Sequence, residues 1–302
     1  MKKLILLTTL LLPLIMFSQI QLGSDIDGEA TGDSSGHFVS SSSDGTIVAI
    51  GAPYNDGTDT KAGHVRVYQY SWGSWSQLGG DIDGEAADDY SGYSVSLSSD
   101  GTIVAIGALL NDGNGSNSGH VRVYQYSSGS WSQLGADIDG EAAADYSGNS
   151  VSLSSDGTIV AIGANRSDGN GSNSGHVRLY SWNVLSTSWT QLGGDIDGEA
   201  SGDLSGYSVS LSSDGTIVAI GALLNDGNGS NSGHVRVYSW NGLSTSWTQL
   251  GGDIDGEASG DYSGTSVSLS SDGSKVAIGA TYNAGNGVSS GHVRVYEYSD
   301  SS

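Results

Sequence analysis

Asp81, Asp83, Glu85 and Asp89 occupy the first, third, fifth and ninth places of one short stretch. Spaced carboxylates of this kind can offer oxygen ligands to a hard divalent cation, and calcium is the one cofactor they suggest. Four equivalent sets occur elsewhere: Asp25, Asp27, Glu29 and Asp33; Asp137, Asp139, Glu141 and Asp145; Asp195, Asp197, Glu199 and Asp203; Asp253, Asp255, Glu257 and Asp261. The match to a helix-flanked calcium loop is incomplete. Glycine falls at the fourth place rather than the sixth, and Gly92 stands where a glutamate would close the loop. A second reading is that Asp and Gly build turns and keep the surface soluble. Both readings stay open.

A further set recurs with the acids. His64, His120, His176, His234 and His292 each stand two residues before an arginine (Arg66, Arg122, Arg178, Arg236 and Arg294). The histidines are expected to make structural hydrogen bonds, and the arginines to offset nearby carboxylates. Trp75, Trp131, Trp189 and Trp247 are expected to pack an outer rim, with a role as sugar platforms as the alternative. No nucleophile elbow, phosphate loop or clustered Cys/His motif is present.

These residues recur because the chain itself repeats. Ile-Asp-Gly-Glu-Ala begins at Ile26, Ile82, Ile138, Ile196 and Ile254, at intervals of 56 and then 58 residues. A period this long implies one supersecondary unit per repeat. Within a repeat, Gly92–Leu97 alternates apolar and small polar residues as a strand does. Ser99-Asp100-Gly101 reads as a tight two-residue hairpin. Ile103–Ala108 is a β-branched run suited to a strand covered on both faces. His120–Tyr126 alternates again, and Trp131–Leu134 opens a fourth strand. The predicted fold is all-β: a five-bladed β-propeller of four-stranded antiparallel blades spanning residues 19–302. The mature start, Gln19–Gly23, matches Ser76–Gly79, so it is expected to supply the last blade's fourth strand and close the ring.

Phrases such as Ser91-Gly92-Tyr93-Ser94-Val95, Val104-Ala105-Ile106-Gly107-Ala108 and Gly119-His120-Val121-Arg122-Val123-Tyr124 resemble FG-GAP repeats. These are the propeller repeats of integrin alpha subunits and many bacterial surface proteins. The resemblance implies a surface protein acting in adhesion or assembly. Only Gly51-Ala52-Pro53 keeps the Gly-Ala-Pro triplet, and Ser replaces the Phe of Phe-Gly in every copy. The long Asp-rich calcium loop of many members is here a bare Ser-Asp-Gly turn.

Lys2 and Lys3, the apolar run Leu4–Ile15 and Ser18 read as a secretory signal over residues 1–18, which implies a secreted or cell-surface protein, with a bacterial envelope the expected setting. No membrane insertion is expected once that segment is cleaved. With no cysteine there is no disulfide framework. A formal charge of −23 opposes nucleic acid and anionic lipid. In an up-and-down blade most of the acids fall in loops on one face. The copies differ there too: Tyr54, Leu109, Leu110, Arg166, Leu223, Leu224 and Tyr282 begin the second-to-third-strand loops. They are candidates for a partner-binding patch, or else tuck under the loops as core. The expected function is a monomeric, non-catalytic binding or adhesion module presenting its acidic face to a protein or glycan. The alternative is a lectin with one weak site per blade. An enzyme is not expected, because catalysis needs unlike carboxylates at one place and near-identical copies offer like ones.

Overall fold

The computed structural model describes residues 19–298. The proposed signal segment lies outside them. The described chain is all strand and turn, arranged as five antiparallel blades. Blade 1 holds Phe38–Ser41, Ile47–Ala52, His64–Ser71 and an outer strand in two pieces, Ser74–Gln77 and Ile82–Asp83. Blades 2, 3 and 4 repeat this plan, starting at Ser94, Ser147 and Ser205. Blade 5 has three strands, Ser263–Leu269, Lys275–Ala280 and His292–Glu297. Among the described residues no helix is long and apolar enough to cross a membrane.

Each strand follows from its residues. The β-branched Ile103–Ala108 is the middle of its blade, and Val104, Ala105 and Ile106 are buried. The turn before it is wider than the Asp-Gly pair suggested. Ser98 N–H bonds the Ile103 carbonyl, leaving Ser99–Thr102 as the loop. The reason is the Asp100 carboxylate, which accepts from Ser98 Oγ at 2.7 Å and Thr102 N at 2.9 Å and so fills the turn.

The outer strand is broken for a related reason. Tyr68 pairs with Gln77 and Val65 with Ile82, so the outer strand carries two more residues between these pairs than the third strand does. A bulge of this kind re-aims side chains. Here it brings Asp81 beside His64.

The core lies between blades rather than within them. Ile47, Val65, Val67 and Ile82 of blade 1 pack on Val95, Leu97, Val104 and Ile106 of blade 2. Three further cores join blades 2 and 3, 3 and 4, and 4 and 5. Burial of a valine or isoleucine in such a layer contributes roughly 1.5–3 kcal/mol. Close backbone approach sets the spacing. A Cβ on Gly107 would lie 2.1 Å from the Gly148 carbonyl oxygen, and the same holds for Gly51 against Gly92 and Gly163 against Gly206. Main-chain bonds from Ser43 to Ser99, Ser99 to Ser155, Ser155 to Ser213 and Ser213 to Ser271 step from blade to blade.

Closure of the ring by the N-terminal strand, expected from the sequence, is not seen. Residues 19–27 do run against blade 1: Trp75 Nε1 donates to the Leu22 carbonyl at 2.8 Å, as Trp131 does to Leu78 at 2.7 Å. Among the described residues, however, none of them pairs with His292–Glu297. Val293 is 68% exposed, whereas its counterparts Val65, Val121, Val177 and Val235 are fully buried. The N-terminal piece thus has the contacts an outer strand makes with the following blade and lacks those it makes with its own third strand. No core joins blade 5 to blade 1 among the described residues.

Gly107→Ala is expected to cost about 3 kcal/mol in urea unfolding, because the new methyl meets backbone that cannot rotate away. Gly279→Ala, where the nearest atom is the movable Ser266 Oγ and no atom of another blade lies within 3.8 Å among the described residues, is expected to cost less than a third of that. Equal costs would mean that blade 5 is covered.

Candidate functional site

The four acids of each loop do not face one centre. Asp33, Asp89, Asp145, Asp203 and Asp261 are buried. Asp89 accepts from Ala86 N at 3.1 Å and Asn111 Nδ2 at 3.0 Å, pinning its loop to the neighbouring one. Burial, opposed by these donors, leaves its carboxyl above the usual range. Asp27, Asp83, Asp139 and Asp197 give their main-chain oxygens to Arg66, Arg122, Arg178 and Arg236 at 2.6–2.7 Å, and Asp255 binds Arg294 in the same way. Asp25, Asp81, Asp137, Asp195 and Asp253 each accept from a glutamine four residues back. Glu29, Glu85, Glu141 and Glu199 lie 3.2–3.7 Å from the arginines.

What the fold does bring together comes from successive loops. Glu29 and Asp81 flank His64, and three more sets repeat this: Glu85, His120, Asp137; Glu141, His176, Asp195; Glu199, His234, Asp253. The four histidines are about 1% exposed. Burial, then the adjacent arginine, holds His120 and His176 down to about 4. Glu257 reaches His292 at 3.6 Å, but no aspartate completes that set among the described residues.

The inner strands enclose a different site. A central cavity of about 430 Å³ is walled by Val95, Val151, Val209 and Val267. Its mouth carries His37, Phe38, Tyr93, Asn149, Tyr207 and Thr265. Five of these occupy one position, directly after the first-strand glycine (Gly36, Gly92, Gly148, Gly206 and Gly264). The repeats are otherwise nearly alike, so this position gives the cavity unlike walls. His37 stacks near Tyr93, with ring centroids 5.1 Å apart, and near Phe38 at 5.6 Å. Asn149 Nδ2 donates to the Tyr207 carbonyl at 3.0 Å. Burial, then the neighbouring Tyr207 and Tyr54, raises the Tyr93 hydroxyl above its usual range. Sequence reasoning missed this ring; comparing the copies at that one position would have found it.

The residues expected to form a partner patch divide. Leu109 is buried as core, and Leu110, Leu223 and Leu224 are half-buried. Tyr54 meets Tyr90 edge-on at 5.1 Å and His37 at 6.4 Å, beside the cavity mouth. Arg166 lies 4.6 Å over Tyr146, and the exposed Tyr282 meets Tyr262 at 5.0 Å. The four outer tryptophans stack at 5.2–5.4 Å on Tyr70, Tyr126, Trp182 and Trp240. Each donates its indole N–H across to the segment before its blade, so these rings pack the rim.

Residues 82–124, 136–180 and 196–238 match the FG-GAP repeat, so the chain carries FG-GAP repeats. No curated protein matches it. Solved structures similar in fold include the periplasmic gluconolactonase of Pseudomonas aeruginosa, at 17% identity and TM-score 0.52 over 80% of this chain and 63% of that one. Hydrazine synthase of Kuenenia stuttgartiensis gives 14% and 0.55 over 91% and 67%. A putative 6-phosphogluconolactonase from Bacteroides uniformis gives 11% and 0.51 over 88% and 81%. The chain thus spans just under two thirds of the gluconolactonase. These likenesses establish the fold.

They also correct the expectation that this chain is no enzyme, since arrangements of blades like this one occur in proteins described as lactonases. The argument from like copies fails for a physical reason: the copies are unlike at the central cavity.

A pH dependence follows from the histidines. In the folded state His120 and His176 stay neutral down to about 4, whereas the unfolded chain takes up those protons near 6.5. Their stability is therefore present above 6.5 and lost as pH falls towards 4, on the order of 3 kcal/mol per histidine. In chelated protein, denaturant midpoints should fall across this window, and fall less in a His120→Asn, His176→Asn variant.

Proposed function

We propose that this chain binds a small neutral polyhydroxylated ligand, a sugar or an aldonolactone, at the mouth of the central cavity. The observation that carries the reading is the ring formed by His37, Phe38, Tyr93, Asn149, Tyr207 and Thr265. Aromatic faces beside amide, hydroxyl and imidazole groups suit a ring with apolar faces and a polar edge. The cavity lining holds no lysine or arginine, and the chain's charge is −23, so a neutral ligand is favoured over a phosphorylated one. On this reading glycan recognition belongs to one central site rather than to the four outer tryptophans. His37 is the one imidazole of the lining and the group placed to pass a proton to or from a ligand, and the lactonase neighbours make aldonolactones the first ligands to test.

The setting proposed is outside the cytoplasm, on the strength of Lys2, Lys3 and the apolar run after them. A second reading, docking of a protein partner in surface adhesion, is favoured by the exposed Arg166 and Tyr282 amid the acidic loops. That partner would meet the same face.

Calorimetry with neutral sugars and with glucono-δ-lactone, run beside a pH-stat assay of lactone opening, tests the proposal. Tyr93→Ala and Tyr207→Ala should each weaken binding tenfold or more, and Trp131→Phe should leave it unchanged. His37→Gln should abolish any lactone opening while retaining affinity. Absence of binding to every neutral sugar and lactone at millimolar concentration would remove the reading, as would loss only in the tryptophan variant.

A further inference from the structure

We propose that the chain holds a transition-metal dication, of the class that includes zinc, at each of four equivalent places where a loop glutamate, a buried histidine and an outer-strand aspartate converge. The sites are Glu29, His64 and Asp81, with their counterparts around His120, His176 and His234, and the ligating atoms of each set lie within 4.8 Å of one another. This inference is independent of the central cavity.

The distances carry it. Glu29 Oε2 lies 3.8 Å from His64 Nδ1, Glu141 Oε2 4.0 Å from His176 Nδ1, and Glu199 Oε2 3.7 Å from His234 Nδ1. Asp137 Oδ2 lies 3.9 Å from His120 Nδ1. These gaps are too long for hydrogen bonds. They suit ligands about 2.1 Å from a shared ion, which places neighbouring ligand atoms roughly 3.4 Å apart at a tetrahedral angle and up to about 4.2 Å at a wide one, so a pair at the outer limit of the sets draws in by about 0.6 Å when the ion binds.

The remaining oxygens are already engaged. Arg122 Nη1 approaches Glu85 Oε1 at 3.2 Å, and Gln133 Nε2 donates to Asp137 Oδ1 at 2.6 Å. At Glu29, Glu141, Glu199 and Asp137 the other oxygen is the one towards the imidazole, so these carboxylates have the kind of outer support that metal ligands receive. Two carboxylates and one guanidinium leave a net negative charge to meet the ion. An imidazole nitrogen selects zinc, nickel or copper over calcium. Three protein ligands leave a coordination position for water or a partner's donor group. The ion would tie the loop entering a blade to that blade's third and outer strands. Ser167 Oγ lies 3.0 Å from His176 Nδ1 and competes there, so that site should be the weakest.

The test uses the whole chain, chelated and then titrated with cobalt(II), read by visible absorption, and with zinc, read by calorimetry. About four ions per chain are expected, with no displacement by a tenfold excess of calcium. A combined Glu29→Gln, Glu85→Gln, Glu141→Gln, Glu199→Gln variant should lose this binding while keeping the far-ultraviolet dichroism of the chelated parent. Absence of saturable binding at micromolar metal, unchanged stoichiometry in the variant, or displacement of cobalt by calcium would overturn the proposal. Should the variant not fold, cobalt broadening of imidazole resonances in the parent chain decides. Broadening at His64, His120, His176 and His234 with His37 untouched supports the sites, and any other pattern overturns them.

Discussion

The contact of glycine with glycine between neighbouring blades is the constraint from which the rest follows. At Gly107 the next blade's carbonyl stands where a side chain would begin, and the second strands of the other inner blades meet their neighbours in the same way. That approach lets the apolar layers between blades pack against one another. It also brings the Ser-to-Ser main-chain bonds into range and fixes how far the inner strands stand from the axis. The width of the central cavity is therefore a property of a backbone contact, while its chemistry is left to the residue that follows each first-strand glycine.

The acidic loops show a second division of labour. One aspartate is buried to fasten two loops together, another lends only its carbonyl to an arginine, and the remaining two acids point away from their own loop's centre. Charge that looks like a surface coat is largely committed to holding loops on blades. The arginines, two residues beyond the histidines, lie under this coat and balance part of it.

Much of this was legible in the chain. The alternation of Gly92–Leu97 named one strand, because pleated geometry imposes a period of two, and the β-branched run Ile103–Ala108 named another, because a strand covered on both faces is apolar throughout. The tryptophans read as rim packing, and they are. Three features were not legible. The likeness of Gln19–Gly23 to Ser76–Gly79 shows which track that segment follows, but not whether it reaches the third strand of a distant blade. The four acids of one loop looked like a set because they are adjacent in sequence, whereas the outer-strand bulge pairs four of the five glutamates with an aspartate of the following loop. The central residues escaped notice because each is unremarkable alone. Their significance lies in being five answers to one position.

The unfastened flank between the last blade and the first has a direction. Among the described residues, one side offers the third strand His292–Glu297 with Val293 and Val295 exposed, and the other offers the segment around the exposed Ile20 and Leu22. Two such surfaces are complementary but not identical, so molecules joined through them would meet head to tail. Contacts of that type propagate into open chains unless the rotation happens to complete a circle. Mutual repulsion among strongly anionic molecules works against such growth, and added salt weakens that protection.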